Sequence, residues 1–216
     1  MFKDNLKIIN FIVDWLNNYC DKNSVEGFVI GVSGGIDSAL TSTLCSMTTR
    51  PVLCVQMPIH QSTNEIIRST NHIKWLEEKF KNVNSIEDNL SSIYDEFTKN
   101  KVNFTDSKSN FNEKQQLALA NTRSRLRMLN LYFHATSNNY IVVGTGNKVE
   151  DFGVGFYTKY GDGGVDISPI ADCNKTEVWE LGKELGILKE IIDAPPTDGL
   201  WDDGRTDEGQ LGFNYS

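Results

Sequence analysis

The sequence has little of what a disulfide-stabilised or zinc-binding protein needs. Its four cysteines form no CxxC pair and stand among apolar residues, at Cys20, Cys45, Cys54 and Cys173. This pattern favours buried thiols in a reducing compartment over disulfide bonds. The histidines lack the spacing of metal ligands and lie at His60, His72 and His134. A zinc site is therefore not expected.

Long apolar runs and excess positive charge are also missing. No stretch approaches the length of a membrane-spanning helix, and the start, "MFKDNLKIIN", carries Asp4 and lacks the apolar core of a secretory signal. The formal net charge of −8 over 216 residues weighs against a nucleic-acid partner, which would require a basic face. We expect a cytoplasmic protein that binds neither membrane nor nucleic acid.

Apolar periodicity divides the chain into strands that alternate with helices. Short apolar runs predict strands at "GFVIGV", "PVLCVQMP" and "NYIVVG". Helical spacing and capping signals predict helices over 5–20, 37–47, 62–79, 86–98, 113–136 and from 174. In the helix over 113–136 the inward residues are expected to be Leu119, Leu126, Leu129 and Phe133. The alternation predicts an α/β fold in one domain over 1–216, with a Rossmann-like, doubly wound parallel sheet and helices on both faces.

The predicted loops suggest where a ligand would bind. Residues 99–112 and 193–212 are polar or rich in Gly, Pro and Asp, and the glycine-dense stretch 144–164 is too irregular for a regular element. In parallel sheets, ligands bind beyond the carboxyl ends of the strands, at a switch point in strand order. Loops 31–38, 57–63 and 144–164 all follow predicted strands, so we expect them to converge on one crevice.

The loop "GVSGGIDS", residues 31–38, has the composition of an anion cradle. Its glycines let the backbone turn sharply and approach a ligand, and the following helix adds its positive dipole end. No lysine follows as in a Walker loop. Asp37 would repel phosphates unless a divalent cation lay between them, which suggests Mg²⁺. The alternative is a tight strand–helix turn without a ligand.

The pattern SGGxDS after a strand resembles the signature of the ATP pyrophosphatase superfamily, whose fold is adenine nucleotide alpha hydrolase-like. Four further stretches resemble ammonia-dependent NAD synthetase, so that the likeness covers nearly the whole chain. They are "NTRSRLRMLNLY", "VVGTGNKVED", "FYTKYGDGGVDISPIADCNKTEVWELGKELGI" and "TDEGQLGFNY". The resemblance implies that ATP adenylates the nicotinate carboxylate of deamido-NAD and that ammonia then displaces AMP, giving NAD, AMP and pyrophosphate.

The same resemblance implies roles for individual residues. The implied ATP contacts are Gly31, Val32, Ser33, Gly34, Gly35, Ile36, Asp37, Ser38, Thr145, Lys175 and Thr197. The implied Mg²⁺ ligands are Asp37 and Glu150, and the implied deamido-NAD contacts are Arg125, Lys159 and Asp166. No covalent nucleophile is required for this chemistry. Arg123, Arg127 and Asp151 are interpreted as solvated surface residues rather than as parts of the site.

The resemblance further implies a homodimer, with the first helix and the helix over 113–136 as candidate interfaces. The family normally continues beyond "FNYS", where this chain ends, into a helix and a tail with a His-Lys pair that contacts deamido-NAD. Two other functions stay open from the sequence. One is another amidating enzyme of the superfamily, similar to GMP synthetase, and the other is a degenerate nucleotide-binding subunit.

Overall fold

Four parallel strands form the sheet at the centre of the protein. The computed structural model describes residues 4–102, 112–197, 199–201, 207–212 and 215. Within these residues the strands are β1 (Gly27–Gly31), β2 (Val52–Gln56), β3 (Val83–Glu87) and β4 (Tyr140–Val142). They are hydrogen-bonded in the order β3-β2-β1-β4, and every neighbouring pair is parallel. The predicted α/β class with a parallel sheet is confirmed.

The central strand β1 is buried because it pairs on both edges and is covered on both faces. Phe28 lies opposite Val52 of β2 and opposite Ile141 of β4. Such strands are continuous apolar runs, as "GFVIG" is. At its start, a Cβ on Gly27 would overlap the carbonyl oxygen of Pro51, so that only glycine fits between the neighbouring strands.

The helices begin where the sequence supplies caps. They are α1 (Asn5–Asn23), α2 (Ile36–Ser46), α3 (Thr63–Lys79), α4 (Ser91–Val102), α5 (Glu113–Asn138), α6 (Lys175–Glu184), α7 (Lys189–Ile192) and α8 (Asp207–Leu211). Where capping signals predict the starts of α3 and α6, capping boxes are present, Ser62 with Glu65 and Asn174 with Glu177. None of the helices in the described ranges is long and apolar enough to cross a membrane.

Apolar side chains cover both faces of the sheet. One core includes residues from α1, α2, α3 and α6, among them Leu16, Leu40, Leu76 and Leu181. The opposite core joins the other side of β1 and β2 to α4 and α5, through Val29, Val55, Tyr94 and Ala135. This arrangement confirms the doubly wound fold, in which α1, α2, α3 and α6 lie on one face and α4 and α5 on the other.

The cysteines are packing residues. All four are free and buried, as predicted. Burial raises the pKa of the Cys54 thiol to about 12 and that of Cys45 well above its ordinary value. Thiols that stay protonated in this way are poor nucleophiles, so these two cysteines contribute apolar volume rather than chemistry.

Four predicted elements or boundaries were wrong. The loop predicted over 193–212 contains the helix α8. The helix predicted over 86–98 begins at Ser91, and β3 precedes it. The glycine-dense stretch is not wholly irregular, since Lys148–Val154 forms a π-helix. The predicted loop over 99–112 is partly helical because α4 extends to Val102. The rest of that loop, residues 103–111, lies outside the described residues.

The orientation predicted for the long helix α5 is half right. Leu119 and Leu126 pack against the core shared with α4. Leu129 and Phe133, expected to point inward, are instead 64% and 66% exposed. Because these two residues lie four apart, they form one exposed apolar stripe on the outer side of the helix.

Candidate active site

One crevice opens at the carboxyl ends of the strands, as the loops predict. β1 leads into α2 on one side of the switch point, and β4 leads into the π-helix segment on the other. Ten of the eleven predicted ATP contacts line it, all except Gly34. They are Gly31, Val32, Ser33, Gly35, Ile36, Asp37, Ser38, Thr145, Lys175 and Thr197.

Two serine hydroxyls hold the loop after β1 in a compact shape. Ser33 Oγ and Ser38 Oγ lie 3.0 Å apart, and Ser38 Oγ donates to the Gly35 carbonyl oxygen over 3.0 Å. The backbone N–H of Gly35 donates to Ser33 Oγ over 3.2 Å. Both hydroxyls therefore bond within the loop, so that their role in this structure is to fix the loop conformation.

Gly34 is required by the close packing of the loop against α3. Its φ is +86°, a left-handed conformation that side chains rarely adopt. A Cβ there would lie 2.8 Å from the Glu65 carbonyl oxygen and 3.0 Å from the Ser69 backbone nitrogen. Arg68 Nε donates to the Gly34 carbonyl oxygen over 3.2 Å and ties the same two segments together.

Gly34→Ala is expected to lower the free energy of unfolding by about 1 to 3 kcal/mol, because it adds both backbone strain and a clash with the backbone of α3. Gly35→Ala is the matched control, since the nearest atom to its Cβ is Ser33 Oγ at 3.4 Å. The control should cost less than about 1 kcal/mol. Urea denaturation measures both, and equal losses in the two variants would contradict the packing argument.

A buried lysine joins two acidic residues that are distant in the sequence. Asp37 lies in the first turn of α2, Glu150 in the π-helix and Lys175 at the first position of α6. Lys175 Nζ lies 2.6 Å from Asp37 Oδ2 and 2.9 Å from Glu150 Oε1. The side chain of Lys175 is only 2% exposed. The two carboxylates predicted to share a metal thus meet at one point.

Asn147 organises this cluster, and the sequence analysis missed it. Its Nδ2 donates to Asp37 Oδ1 over 3.2 Å. Its Oδ1 accepts from the backbone N–H groups of Val149 and Glu150, over 3.0 and 3.1 Å, as the N-cap of the π-helix. The side chain is fully buried. An asparagine three residues before a predicted loop carboxylate could have been recognised as a cap.

The cluster keeps its lysine protonated. Burial alone would lower the pKa of Lys175, but Asp37 and Glu150 raise it above its ordinary value. Two carboxylates and one ammonium carry a net negative charge. A phosphate that approached this cluster would therefore need a further cation.

Asp151 lies in the crevice and is not a solvated loop residue, so that interpretation was wrong. Its carboxyl packs against Gly146, where a Cβ would overlap Asp151 Oδ2. Burial raises the pKa of Asp151 to about 7, with further contributions from Asp162, Glu150 and Asp37. The π-helix turns this side chain and the neighbouring Glu150 towards the same cavity.

Two arginines of α5 were also misread as surface residues. Arg123 is 7% exposed and donates to the carbonyl oxygen of Leu200. Arg127 lines the crevice, where its Nε donates to the Met57 carbonyl oxygen over 3.1 Å and its Nη2 to Gln61 Oε1 over 2.6 Å. Both arginines brace the loops that follow β2 and α7.

The predicted deamido-NAD contacts do not line the crevice. Arg125 and Lys159 are exposed neighbours, and Arg125 Nε donates to the Lys159 carbonyl oxygen over 3.1 Å. Asp166 accepts from the Tyr132 hydroxyl over 3.0 Å and from the Val142 N–H over 2.8 Å. These three residues lie beside the outer side of α5 and the end of β4.

The described residues fit a metal that arrives with a nucleotide. Among them, no group of three or more His, Cys, Asp and Glu side chains could hold a metal ion by itself. Asp37 and Glu150 offer two hard carboxylates from different elements. Mg²⁺ is commonly bound by one or two carboxylates, with substrate phosphates and water completing its shell.

Comparison with known proteins identifies the family. A family model described as NAD synthase matches residues 8–216. The NH(3)-dependent NAD(+) synthetase of Methanosarcina acetivorans is 41% identical over 213 residues, which are 97% of this chain and 78% of that protein. The corresponding synthetase of Carboxydothermus hydrogenoformans is 38% identical over 205 residues, 94% of this chain and 79% of that protein.

Solved structures agree with this result. The NMN synthetase of Francisella tularensis matches with a TM-score of 0.88 and 32% identity, covering 99% of this chain and 84% of that one. The NH3-dependent NAD synthetase of Campylobacter jejuni matches with a TM-score of 0.76 and 28% identity, covering 88% of this chain and 77% of that one. Sequence and structure together establish that this chain belongs to the NAD synthase family.

Proposed function

We propose that this chain amidates the nicotinate carboxylate of deamido-NAD with ammonia, at the expense of ATP, and releases NAD, AMP and pyrophosphate. Deamido-NAD amidation is the reaction of the family to which the chain belongs. The observation that carries the proposal for this chain is the meeting of Asp37 and Glu150 beside the glycine loop. Family membership also favours this substrate over that of a GMP synthetase-like enzyme.

The reaction needs an activated carboxylate because ammonia cannot displace an oxide leaving group. Adenylation replaces the oxide by AMP, which leaves readily. The N-terminus of α2, which follows the glycine loop directly, suits the phosphates of ATP. Thr145 and Thr197 line the same crevice. Thr145 offers a hydroxyl donor, whereas the Thr197 hydroxyl donates to Glu65 Oε1 over 3.4 Å. Residues of the chain thus bind and orient the nucleotide, and no covalent nucleophile is required.

We assign Asp37 and Glu150 as the residues that would hold Mg²⁺. When bound, the metal would neutralise charge on the phosphates and on the leaving pyrophosphate. Asn147 supports this assignment, because it bonds Asp37 Oδ1 and the N–H of Glu150 and so fixes both carboxylates. Such outer contacts orient metal ligands and tune their affinity.

Asp37→Asn and Glu150→Gln are each expected to lower the rate of AMP, pyrophosphate and NAD formation by at least about a hundredfold, because each removes an anionic ligand of the metal that would neutralise the phosphate charge. Products are measured by chromatography with ATP, ammonia, deamido-NAD and Mg²⁺. Glu180→Gln, an exposed carboxylate on α6, is the matched control and should keep full activity.

Circular dichroism should show that both variants remain folded. Undiminished turnover in a folded Asp37→Asn or Glu150→Gln protein would remove the metal assignment. Absence of NAD formation by the unchanged protein, with ATP bound but no AMP released, would instead favour a nucleotide-binding subunit without activity.

A second candidate substrate is nicotinate mononucleotide, whose amide is NMN. The observation that favours it is the TM-score of 0.88 with the Francisella tularensis NMN synthetase, against 0.76 with the Campylobacter jejuni NAD synthetase. Both reactions activate the same nicotinate carboxylate. The two substrates differ in size. Deamido-NAD carries an additional AMP moiety that the protein must bind, and nicotinate mononucleotide does not.

We expect kcat/KM to be higher for deamido-NAD than for nicotinate mononucleotide, and Arg125→Ala to weaken only the dinucleotide reaction, because its exposed guanidinium is available for the additional phosphate. Initial rates with each substrate, at saturating ATP and ammonia, measure the ratio. A ratio that favours the mononucleotide, with Arg125→Ala unchanged, would assign the chain to NMN synthesis.

The exposed apolar stripe on α5 supports a homodimer. Leu129 and Phe133 are 64% and 66% exposed and lie on one side of the helix, and adjoining exposed apolar side chains are typical of interaction surfaces. We therefore place α5 in the interface between two copies. A cytoplasmic location is also part of the proposal, and the four buried free thiols support it.

Replacing both Leu129 and Phe133 by Glu is expected to weaken dimer affinity by at least about thirtyfold, because it buries two charges in an apolar contact. Sedimentation velocity at several protein concentrations measures the change. Ile67→Glu is the control, since Ile67 is 48% exposed on a different helix, α3. A dimer that dissociates only with the Ile67 variant would place the interface elsewhere.

A further inference from the structure

Lys175 occupies the point at which Asp37 and Glu150 meet. Asp37 Oδ1 accepts from Asn147, which leaves Oδ2 for a cation, and Lys175 Nζ lies 2.6 Å from that oxygen. On Glu150, Lys175 binds Oε1 over 2.9 Å. The ammonium therefore holds one oxygen of each carboxylate, and a metal held by both residues would compete with it for them.

We propose that Lys175 and a divalent cation compete for these carboxylate oxygens, and that nucleotide phosphates favour the metal by accepting the displaced ammonium. The inference rests on the proposed function, because it concerns the same metal and ATP site. It assigns Lys175 a coupling role between metal binding and nucleotide binding.

The local structure limits where the lysine can go. Its backbone is fixed at the first turn of α6, where the Asn174 N–H donates to Glu177 Oε2 over 2.7 Å in the capping box. The Tyr215 hydroxyl donates to the same Glu150 Oε1 over 2.5 Å, and its ring centre lies 5.4 Å from Lys175 Nζ. Lys175 also lines the crevice, where phosphates are proposed to bind.

The energetics follow from burial. A buried ammonium that loses its carboxylates without a new partner is strongly destabilising. Without nucleotide, a metal ion would have to displace Lys175 into a crevice that holds no phosphate. The apparent affinity of the protein for the metal is therefore reduced. A triphosphate supplies acceptor oxygens for the displaced ammonium and ligands for the metal. Metal and nucleotide should therefore each tighten the binding of the other, by the same factor.

Lys175→Gln tests this inference, because it removes the charge and keeps a hydrogen-bond donor. We expect the variant to bind Mn²⁺ without nucleotide at least about tenfold more tightly than the unchanged protein, since the competing cation is gone. Electron paramagnetic resonance of free Mn²⁺ measures the affinity. Lys183→Gln, an exposed lysine on the same helix, is the matched control and should leave it unchanged.

A simple phosphate contact would lower nucleotide affinity without changing Mn²⁺ affinity in the absence of nucleotide. Unchanged or weaker Mn²⁺ binding by a folded Lys175→Gln protein therefore overturns the proposal. If the variant does not fold, a crystal of the unchanged protein with Mn²⁺ and α,β-methylene-ATP decides. Lys175 Nζ should then contact phosphate oxygen, and an ammonium still bound to both carboxylates beside the metal would overturn the proposal.

The proposed function can fail separately. Formation of NAD and AMP by the unchanged protein tests the reaction and does not depend on which cation holds the carboxylates. A protein that makes NAD while its Lys175→Gln variant shows no change in Mn²⁺ affinity would retain the function and lose only the coupling role of Lys175.

Discussion

The contact that the rest of the site depends on is the buried ion pair of Lys175 with Asp37 and Glu150. It joins α2, the π-helix and α6, which are far apart in the sequence and meet only because β1 and β4 are neighbours in the sheet. Three charges that are largely withdrawn from water are stable only when each is paired. The ion pair therefore fixes the two carboxylates relative to the helices of the fold.

The sheet order explains why the proposed phosphate site and the carboxylate pair share one crevice. The chain builds outward from β1 to β2 and β3, and then returns to place β4 on the other side of β1. The N-terminus of α2, directly after the glycine loop, supplies N–H groups, and the segment after β4 supplies Glu150. Neither segment alone offers both, so the proposed metal–phosphate complex would be bound only where the two segments meet.

Sequence patterns predicted those parts of the structure that depend on residues close together in the chain. The glycine loop, the capping boxes and the buried strands follow from residue types at fixed spacing, and they were predicted. β3 escaped prediction because four of its five residues are exposed at a sheet edge, which leaves no apolar run. The burial of Arg123, Arg127 and Asp151 depends on which loops the sheet brings together, and no spacing along the chain carries that information. The π-helix was not predicted either, because its glycine-dense sequence indicates only a loop. It depends on its cap at Asn147 and on its packing.

The outer side of α5 carries both the proposed dinucleotide contact and the proposed dimer interface. Arg125, Leu129 and Phe133 recur at intervals of four on α5 and so share one side of that helix. A second copy that covered Leu129 and Phe133 would also withdraw Arg125 from water. The attraction between an arginine and a phosphate becomes stronger as the dielectric constant of their surroundings falls. The residues proposed to bind ATP line a crevice of a single chain, whereas a dinucleotide site built on Arg125 would reach full strength only in the proposed dimer. Dissociation should then weaken binding of the dinucleotide more than binding of ATP.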